Sequence, residues 1–373
     1  MWYRQIVSNS SFNFTIYLKQ CQVFIDLGAK ICDNRVNKEI AMTPENREKI
    51  ELLRETFRLN YQVTRLYASY LEKCPELITL EMIDMLCEDT DLTREQAIVG
   101  LLSEAFGIDV DRGSTDRRVI RDYLTPSVRL LDKERYTSNP YYQNIKLDNV
   151  KNGNWEIKKE KYPAYRAVIA HDMMLLPFYR EVPPLGFFTE DFEFPAVLED
   201  SNEWMTLTPV DLDTCEDAIK EARGKVVTFG LGLGYYAYMV SEKEEVNSLT
   251  IVEISDKVIE LFETYILPQF PHKEKIHIVK SDAFVYAEKV MPAENFDLAF
   301  VDTWRDASDG APMYERMKRL ERYSPNTRFM YWIENFLISR LRSLKYEELS
   351  RRVDSGEDIS YREFCHSLDN PLE

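Results

Sequence analysis

The sequence predicts an α/β fold. A Rossmann-like, doubly wound, mainly parallel sheet fills the C-terminal half, and a largely helical N-terminal domain precedes it. Three observations predict this. Between residues 225 and 332, short apolar runs alternate with amphipathic segments at the spacing of βαβ units, which build parallel sheets. A glycine-rich turn, Gly230-Leu231-Gly232-Leu233-Gly234, stands between the first of those runs and the segment after it. Before residue 135, apolar residues recur instead at a spacing near 3.6.

Composition bounds the answer. The chain has 373 residues, enough for roughly two to three domains. It is 45% hydrophobic and 30% charged, as ordinary globular chains are. Lys and Arg number 47 against 64 Asp and Glu, a net charge of −17. Such a chain repels phosphate backbones and anionic membrane surfaces, so neither nucleic acid nor a membrane is an expected partner. The six cysteines are Cys21, Cys32, Cys74, Cys87, Cys215 and Cys365, with no C-x-x-C pair and no His at zinc-finger spacing. They read as reduced thiols. The opening Met1-Trp2-Tyr3-Arg4 leads into no apolar leader, and no run of about 18 apolar residues exists, so the expected location is cytoplasmic.

Four stretches follow in order: a helical domain at 1–135, a mixed linker and β-hairpin segment at 136–210 that lines the substrate pocket, the Rossmann-like domain at 211–350, and a helical tail at 351–373. In the first, Thr43-Pro44-Glu45-Asn46 opens a helix with a Thr cap and Pro at the first helical position. Ile50, Leu53, Phe57, Tyr61, Val63 and Leu66 form its apolar stripe. A second helix runs over 91–107, with Thr93 as cap and Gly107 as stop. The helical spacing of Phe57, Tyr61, Tyr67 and Tyr70 marks them as packing residues rather than a cofactor box. In the second stretch, strands are expected at 155–157, 187–194 and 204–207, and Pro183-Pro184 interrupts regular structure. Glu190, Asp191, Glu193, Glu199, Asp200 and Glu203 give this region acids without a base. They read as a solvated hairpin face, or alternatively as a lip that attracts a cationic substrate.

The third stretch carries the chemistry. Strands are expected at 225–229, 248–254, 276–279, 296–301 and 328–332, with helices at 257–267, 283–290 and 312–323. A sheet of this kind binds ligands at the C-terminal ends of its strands. Gly230, Gly232 and Gly234 let the backbone turn tightly and approach a ligand. A dinucleotide fingerprint needs Gly at 235, where Tyr235 stands, and no Gly-Lys-Ser/Thr completes a phosphate loop. Glu253, 19 residues beyond Gly234, ends the second strand, where a carboxylate can accept both hydroxyls of a ribose. Asp282 ends the third strand, able to accept from an adenine amino group. Asp302 ends the fourth and faces the reacting centre. Taken singly, Asp282 and Asp302 also read as helix caps.

This ordered series resembles the class I S-adenosylmethionine-dependent methyltransferases, over about residues 211–340. The resemblance implies a class I methyltransferase-type sheet with S-adenosylmethionine across the tips of strands one to four. It places Gly230, Gly232, Gly234 and Tyr235 beside the methionine portion, Glu253 at the ribose, Asp282 and Ala283 at the adenine, and Asp302 at the reacting end. Thr228 stands where many members carry an acid. The family's final antiparallel strands have no counterpart beyond Trp332, so the sheet is either shortened or completed by the strands at 187–207. Spermidine synthase-like aminopropyltransferases share the fold, but their G-G-G-D-G loop has an acid where Leu233 stands. Catechol-type enzymes use a metal-binding set that Asp302, Glu334 and Asn335 could mimic. An acid in a first helical turn explains Glu334 more simply, so no metal is expected.

The expected activity is therefore in-line methyl transfer from S-adenosylmethionine to a small-molecule acceptor, neutral or cationic. Asp302 takes the acceptor's proton with Asp306 behind it, and His171 is the other candidate base. Tyr235, Tyr236, Trp304 and Tyr314 are the aromatics nearest the site, while His272 and His277 read as surface or packing residues. The alternatives are aminopropyl transfer and a non-catalytic cofactor-binding or interaction protein. The N-terminal half serves substrate choice or homodimerisation, and the residues leave that choice open.

Overall fold

The computed structural model describes residues 43–373 apart from 148, 149 and 153. Cys21, Cys32 and the opening residues lie outside that range. The first described helix, Pro44–Lys73, starts where the Thr-Pro pair predicts, and Thr43 Oγ1 accepts from the Asn46 N–H at 3.3 Å. Its stripe splits in two. Ile50, Leu53 and Phe57 pack against Leu349, Ile359, Phe364 and Leu368 from the other end of the sequence. Leu59, Val63, Tyr67 and Tyr70 pack against Leu102, Tyr123 and Phe187. Tyr61, placed in the stripe by spacing alone, is exposed, because Leu59 holds the buried position two residues earlier. The helix Arg94–Ala105 has the expected Thr93 cap, reinforced by a capping box with Gln96.

After Ser127 the chain extends into β1 (Val128–Leu131), which is followed by two short helices, Lys133–Thr137 and Pro140–Asn144. Then come β2 (Val150–Asn152), β3 (Trp155–Tyr162), β4 (Ala167–Ile169), β5 (Met174–Leu176), β6 (Arg180–Val182), β7 (Leu185–Phe188), β8 (Phe192–Glu199) and β9 (Asn202–Thr206). What reads in sequence as one strand over 187–194 is two, broken by the polar turn Thr189-Glu190-Asp191. β7 joins β1 and β4 in a three-stranded sheet, while β8 lies in an antiparallel sheet of order β2-β3-β8-β9. Most of the acids of this region meet lysines: Glu190 pairs with Lys133 (3.6 Å), Asp191 with Lys161 (2.7 Å), Glu193 with Lys159 (3.9 Å) and Glu199 with Lys257 (3.3 Å). Cross-strand and neighbouring ammonium groups thus offset four of these six acids.

The C-terminal half forms one parallel sheet from β10 (Gly224–Phe229), β11 (Val246–Glu253), β12 (Ile276–Lys280), β13 (Leu298–Val301) and β14 (Arg328–Tyr331). Its order is β12-β11-β10-β13-β14. Central strands buried on both faces need continuous apolar runs, which Val226-Val227 and Leu298 to Val301 supply. Alternate residues face opposite layers: Val226, Leu249 and Phe300 join one core, and Val227, Val252 and Val301 the other. The winding reverses at β10, between β11 and β13, and so opens a crevice at the strand tips. Among the described residues no antiparallel strand joins this sheet. The strands at 185–206 belong to the other sheets, so they do not complete it. The last helices are Glu334–Asp354 and Tyr361–Asp369. No helix among the described residues is long and apolar enough to cross a membrane.

One helix start is corrected. The segment expected to begin at Pro312 begins at Ala307, because Asp306 and Asp309 form a capping box that nucleates it earlier.

Candidate functional site

A cavity of about 460 Å³ lies at the C-terminal ends of β10 to β13, walled on its far side by Trp204, Met205 and Thr206 of β9. This is within the ~300–1,000 Å³ range of small-molecule sites.

The glycine turn forms one edge. Gly230, Gly232 and Gly234 all have positive φ (94°, 53° and 76°). A side chain on Gly230 would collide with the Asp302 carbonyl oxygen, so only glycine lets the first and fourth strand tips close together. At Gly232 a Cβ would meet nothing within 4 Å, which leaves this stretch of backbone open to a ligand. Gly234 caps the helix Tyr235–Ser241. Glu253 is held from both sides: Oε2 accepts from the Leu231 N–H (3.2 Å) and Oε1 from the Ser255 N–H (2.7 Å). Each oxygen keeps a lone pair for a ligand. Asp282 caps the helix Ala283–Lys289, and Oδ1 accepts from the Phe284 and Val285 N–H groups at 2.9 Å each. Glu253, Asp282, Ala283, Asp302 and Tyr235 all line the cavity with the three glycines.

Asp302 sits half-buried at the inner end. Burial raises its carboxyl to about 8, and the charges of Asp211 and Glu253 add to the rise. Asp211 is raised to about 6 by burial, against the opposing pull of hydrogen bonds from the Thr208 N–H and Oγ1–H (2.8 Å each). Asp211 and Cys215 lie four residues apart on the helix Pro209–Glu221, so they share a face, and both line the cavity. The sequence reading did not single out Asp211. As the N3 acid of a Thr208 capping box, its local pattern announces a cap and nothing more.

Tyr235 is buried, and its hydroxyl accepts from Asn139 Nδ2 at 2.9 Å. The Tyr141 hydroxyl donates to the Leu233 carbonyl at 2.5 Å, and Asn144 Nδ2 donates to the Tyr238 hydroxyl at 2.8 Å. The short helix Pro140–Asn144 thus braces the glycine turn from outside. Asn139-Pro140 signals that helix in sequence, but nothing local reveals what it touches.

Three lining residues carry buried polar atoms without a partner among the described residues: Tyr236 Oη, Thr303 Oγ1 and Trp304 Nε1. Buried polar groups normally have partners, so a cluster of such exceptions fits a ligand site. At the mouth, Trp204 is 40% exposed, with the Arg305 guanidinium 5.4 Å from its ring. Trp155 meets Trp204 edge-on, and Lys257 lies 5.7 Å from the Trp155 ring.

Other predicted residues lie elsewhere. Asp306 is buried as a helix cap, accepting from the Ser308 N–H at 2.6 Å, and does not line the cavity. His171 Nδ1 accepts from the Asp172 N–H at 2.7 Å, outside the cavity, and burial lowers its pKa. The Tyr314 hydroxyl is turned away, donating to Glu334 at 2.7 Å. Asn335 Nδ2 donates to the Met173 carbonyl at 3.1 Å, and the Asp172 carboxylate caps the Asn335 and Phe336 N–H groups at 2.9 Å each. Glu334 and Asn335 therefore do not join Asp302, and the described residues contain no cluster of three metal-binding side chains. His272 faces Glu274 (3.3 Å), and His277 is exposed.

No family model matches the sequence, and no curated protein does. Among solved structures, the spermidine synthase from Thermotoga maritima is similar at 15% identity and a TM-score of 0.28, over 41% of this chain and 59% of that one. A spermidine synthase in complex with the transition-state analogue AdoDATO is similar at 14% identity and a TM-score of 0.28, over 41% of this chain and 58% of that one. The chain thus spans under two thirds of the length of either relative.

Proposed function

We propose that this chain is a transferase that binds S-adenosylmethionine across the tips of β10 to β13 and passes its methyl group to a small-molecule acceptor, neutral or cationic. One observation carries this reading. The glycine turn, Glu253, Asp282 and Asp302, which are spread over some 70 residues of sequence, all border a single cavity. The residues fit the cofactor: Gly232 offers open backbone, Glu253 keeps lone pairs for ribose hydroxyls, and Asp282 has Oδ2 for an amino group. When bound, the sulfonium supplies an activated methyl carbon and its own leaving group.

The protein's part is alignment, exclusion of water and handling of a proton. Holding nucleophile and carbon in line can supply roughly 7–11 kcal/mol of the barrier. Tyr235, Tyr236, Trp204 and Trp304 wall the site with rings, whose faces suit a cation. Asp302 is mostly protonated at pH 7 in the free protein. A cation beside it favours the carboxylate, which can then accept the acceptor's proton. Asp211 stands close enough to influence that step electrostatically.

Aminopropyl transfer is the second reading. It is favoured by the excess of acids around the cavity, which suits a cofactor that has lost its carboxylate. Leu233, in place of that family's loop acid, stands against it.

Calorimetric titration with S-adenosylmethionine, S-adenosylhomocysteine and decarboxylated S-adenosylmethionine tests both. Binding of the first two, lost in Glu253→Ala, supports methyl transfer. Preference for the third shifts the reading to aminopropyl transfer. Absence of binding by all three removes both.

A further inference from the structure

The cavity is sorted by charge. Its acids are Asp211, Glu253, Asp282, Asp302 and Asp309, and Arg305 is the one Lys or Arg lining it among the described residues. Arg305 follows Asp302 by three residues, on the loop between β13 and the helix Ala307–Leu320. Its guanidinium makes no ion pair with Asp309. The Asp309 carboxylate accepts from the backbone N–H of Arg305 (3.2 and 3.3 Å) and of Asp306 (3.0 Å) instead. The Arg305 side chain forms no hydrogen bond or ion pair with any described residue, and its guanidinium lies over the exposed ring of Trp204. A guanidinium held beside an indole face in this way keeps its N–H groups available to bind a carboxylate through two parallel hydrogen bonds. A carboxylate elsewhere in this cavity would face Asp302, Asp211 or Glu253.

We infer that Arg305 binds the carboxylate of the cofactor's amino-acid tail, and so separates S-adenosylmethionine from its decarboxylated form. This rests on the sulfonium-cofactor reading above. Trp204, one sheet away, acts as the platform for the guanidinium. Arg305 is exposed, so its replacement leaves the core intact.

The experiment measures Kd for S-adenosylmethionine, S-adenosylhomocysteine and decarboxylated S-adenosylmethionine with wild type, Arg305→Ala and Arg305→Lys, after thermal melts establish that the variants are folded. In Arg305→Ala the two carboxylate-bearing ligands weaken about tenfold, as for loss of a charged hydrogen bond. The decarboxylated ligand, relieved of a like charge, binds as well or better. Arg305→Lys restores part of the loss. Equal weakening of all three ligands, or no change in any, overturns the role of Arg305 while leaving the cofactor reading intact. Failure of wild type to bind any of them overturns the cofactor reading itself, and this inference with it.

Discussion

The carbonyl oxygen of Asp302 occupies the space that a side chain on Gly230 would need. The tips of β10 and β13 therefore meet backbone to backbone, and Asp302 is positioned by the same contact that shapes the glycine turn. Gly230→Ala is expected to destabilise the protein by about 2 kcal/mol or more, since both the clash and the positive φ oppose it. Gly232→Ala, with open space around it, should cost only the left-handed strain of about 1–2 kcal/mol. Urea melts of the two variants check this ranking, and a milder effect of Gly230→Ala would contradict it.

Tyr141 tests the brace behind the turn. Tyr141→Phe removes the bond to the Leu233 carbonyl and leaves a buried acceptor unsatisfied, a loss of about 1–3 kcal/mol. Cofactor affinity should fall with it, because Leu233 lies inside the glycine turn. Denaturant melts and calorimetry on one preparation measure both effects.

Asp302 makes stability depend on pH. Its carboxyl is raised to about 8 in the fold, against an ordinary value near 4 in the unfolded chain. Between those values the unfolded chain has released the proton and the folded one keeps it. Stability therefore falls as pH rises from about 4 to about 8, then levels off. Asp302→Asn should flatten that slope and stabilise the protein by on the order of 1–2 kcal/mol at pH 8, discounted because the group borders an open cavity. The check is Tm against pH for both proteins. Parallel curves would show that Asp302 is not raised.

Asp172 is expected to matter for folding and not for binding. Its carboxylate caps the helix Glu334–Asp354 through the Asn335 and Phe336 N–H groups. Asp172→Ala should lower stability by about 1–2 kcal/mol while leaving cofactor affinity within about twofold of wild type. A large change in affinity would place this segment in the site after all.

What the sequence revealed follows a physical pattern. The five parallel strands were legible because buried strands demand continuous apolar runs, and the glycine turn because three left-handed positions exclude most other residues. Thr43 and Thr93 were legible as caps because that chemistry is local. Asp306 shows the limit: its acid and its place after the fourth strand suited a catalytic role, and only the backbone N–H groups it meets show it as a cap. Asp211 and Tyr141 reach the site, and Arg305 reaches Trp204, through chain segments that converge in three dimensions, which no short window of sequence encodes.

Arg54 and Asp354 form an ion pair at 2.7 Å although 300 residues separate them. The apolar stripe beside Arg54, Ile50, Leu53 and Phe57, is covered by residues near the opposite end of the sequence. On the ribosome, at about 5–20 residues per second, that stripe waits roughly 15–60 s for its cover to be made. During that interval it is a binding surface for chaperones and a seed for aggregation. The expression yield of this protein should therefore depend on translation speed and on chaperone supply more than its final stability alone would indicate.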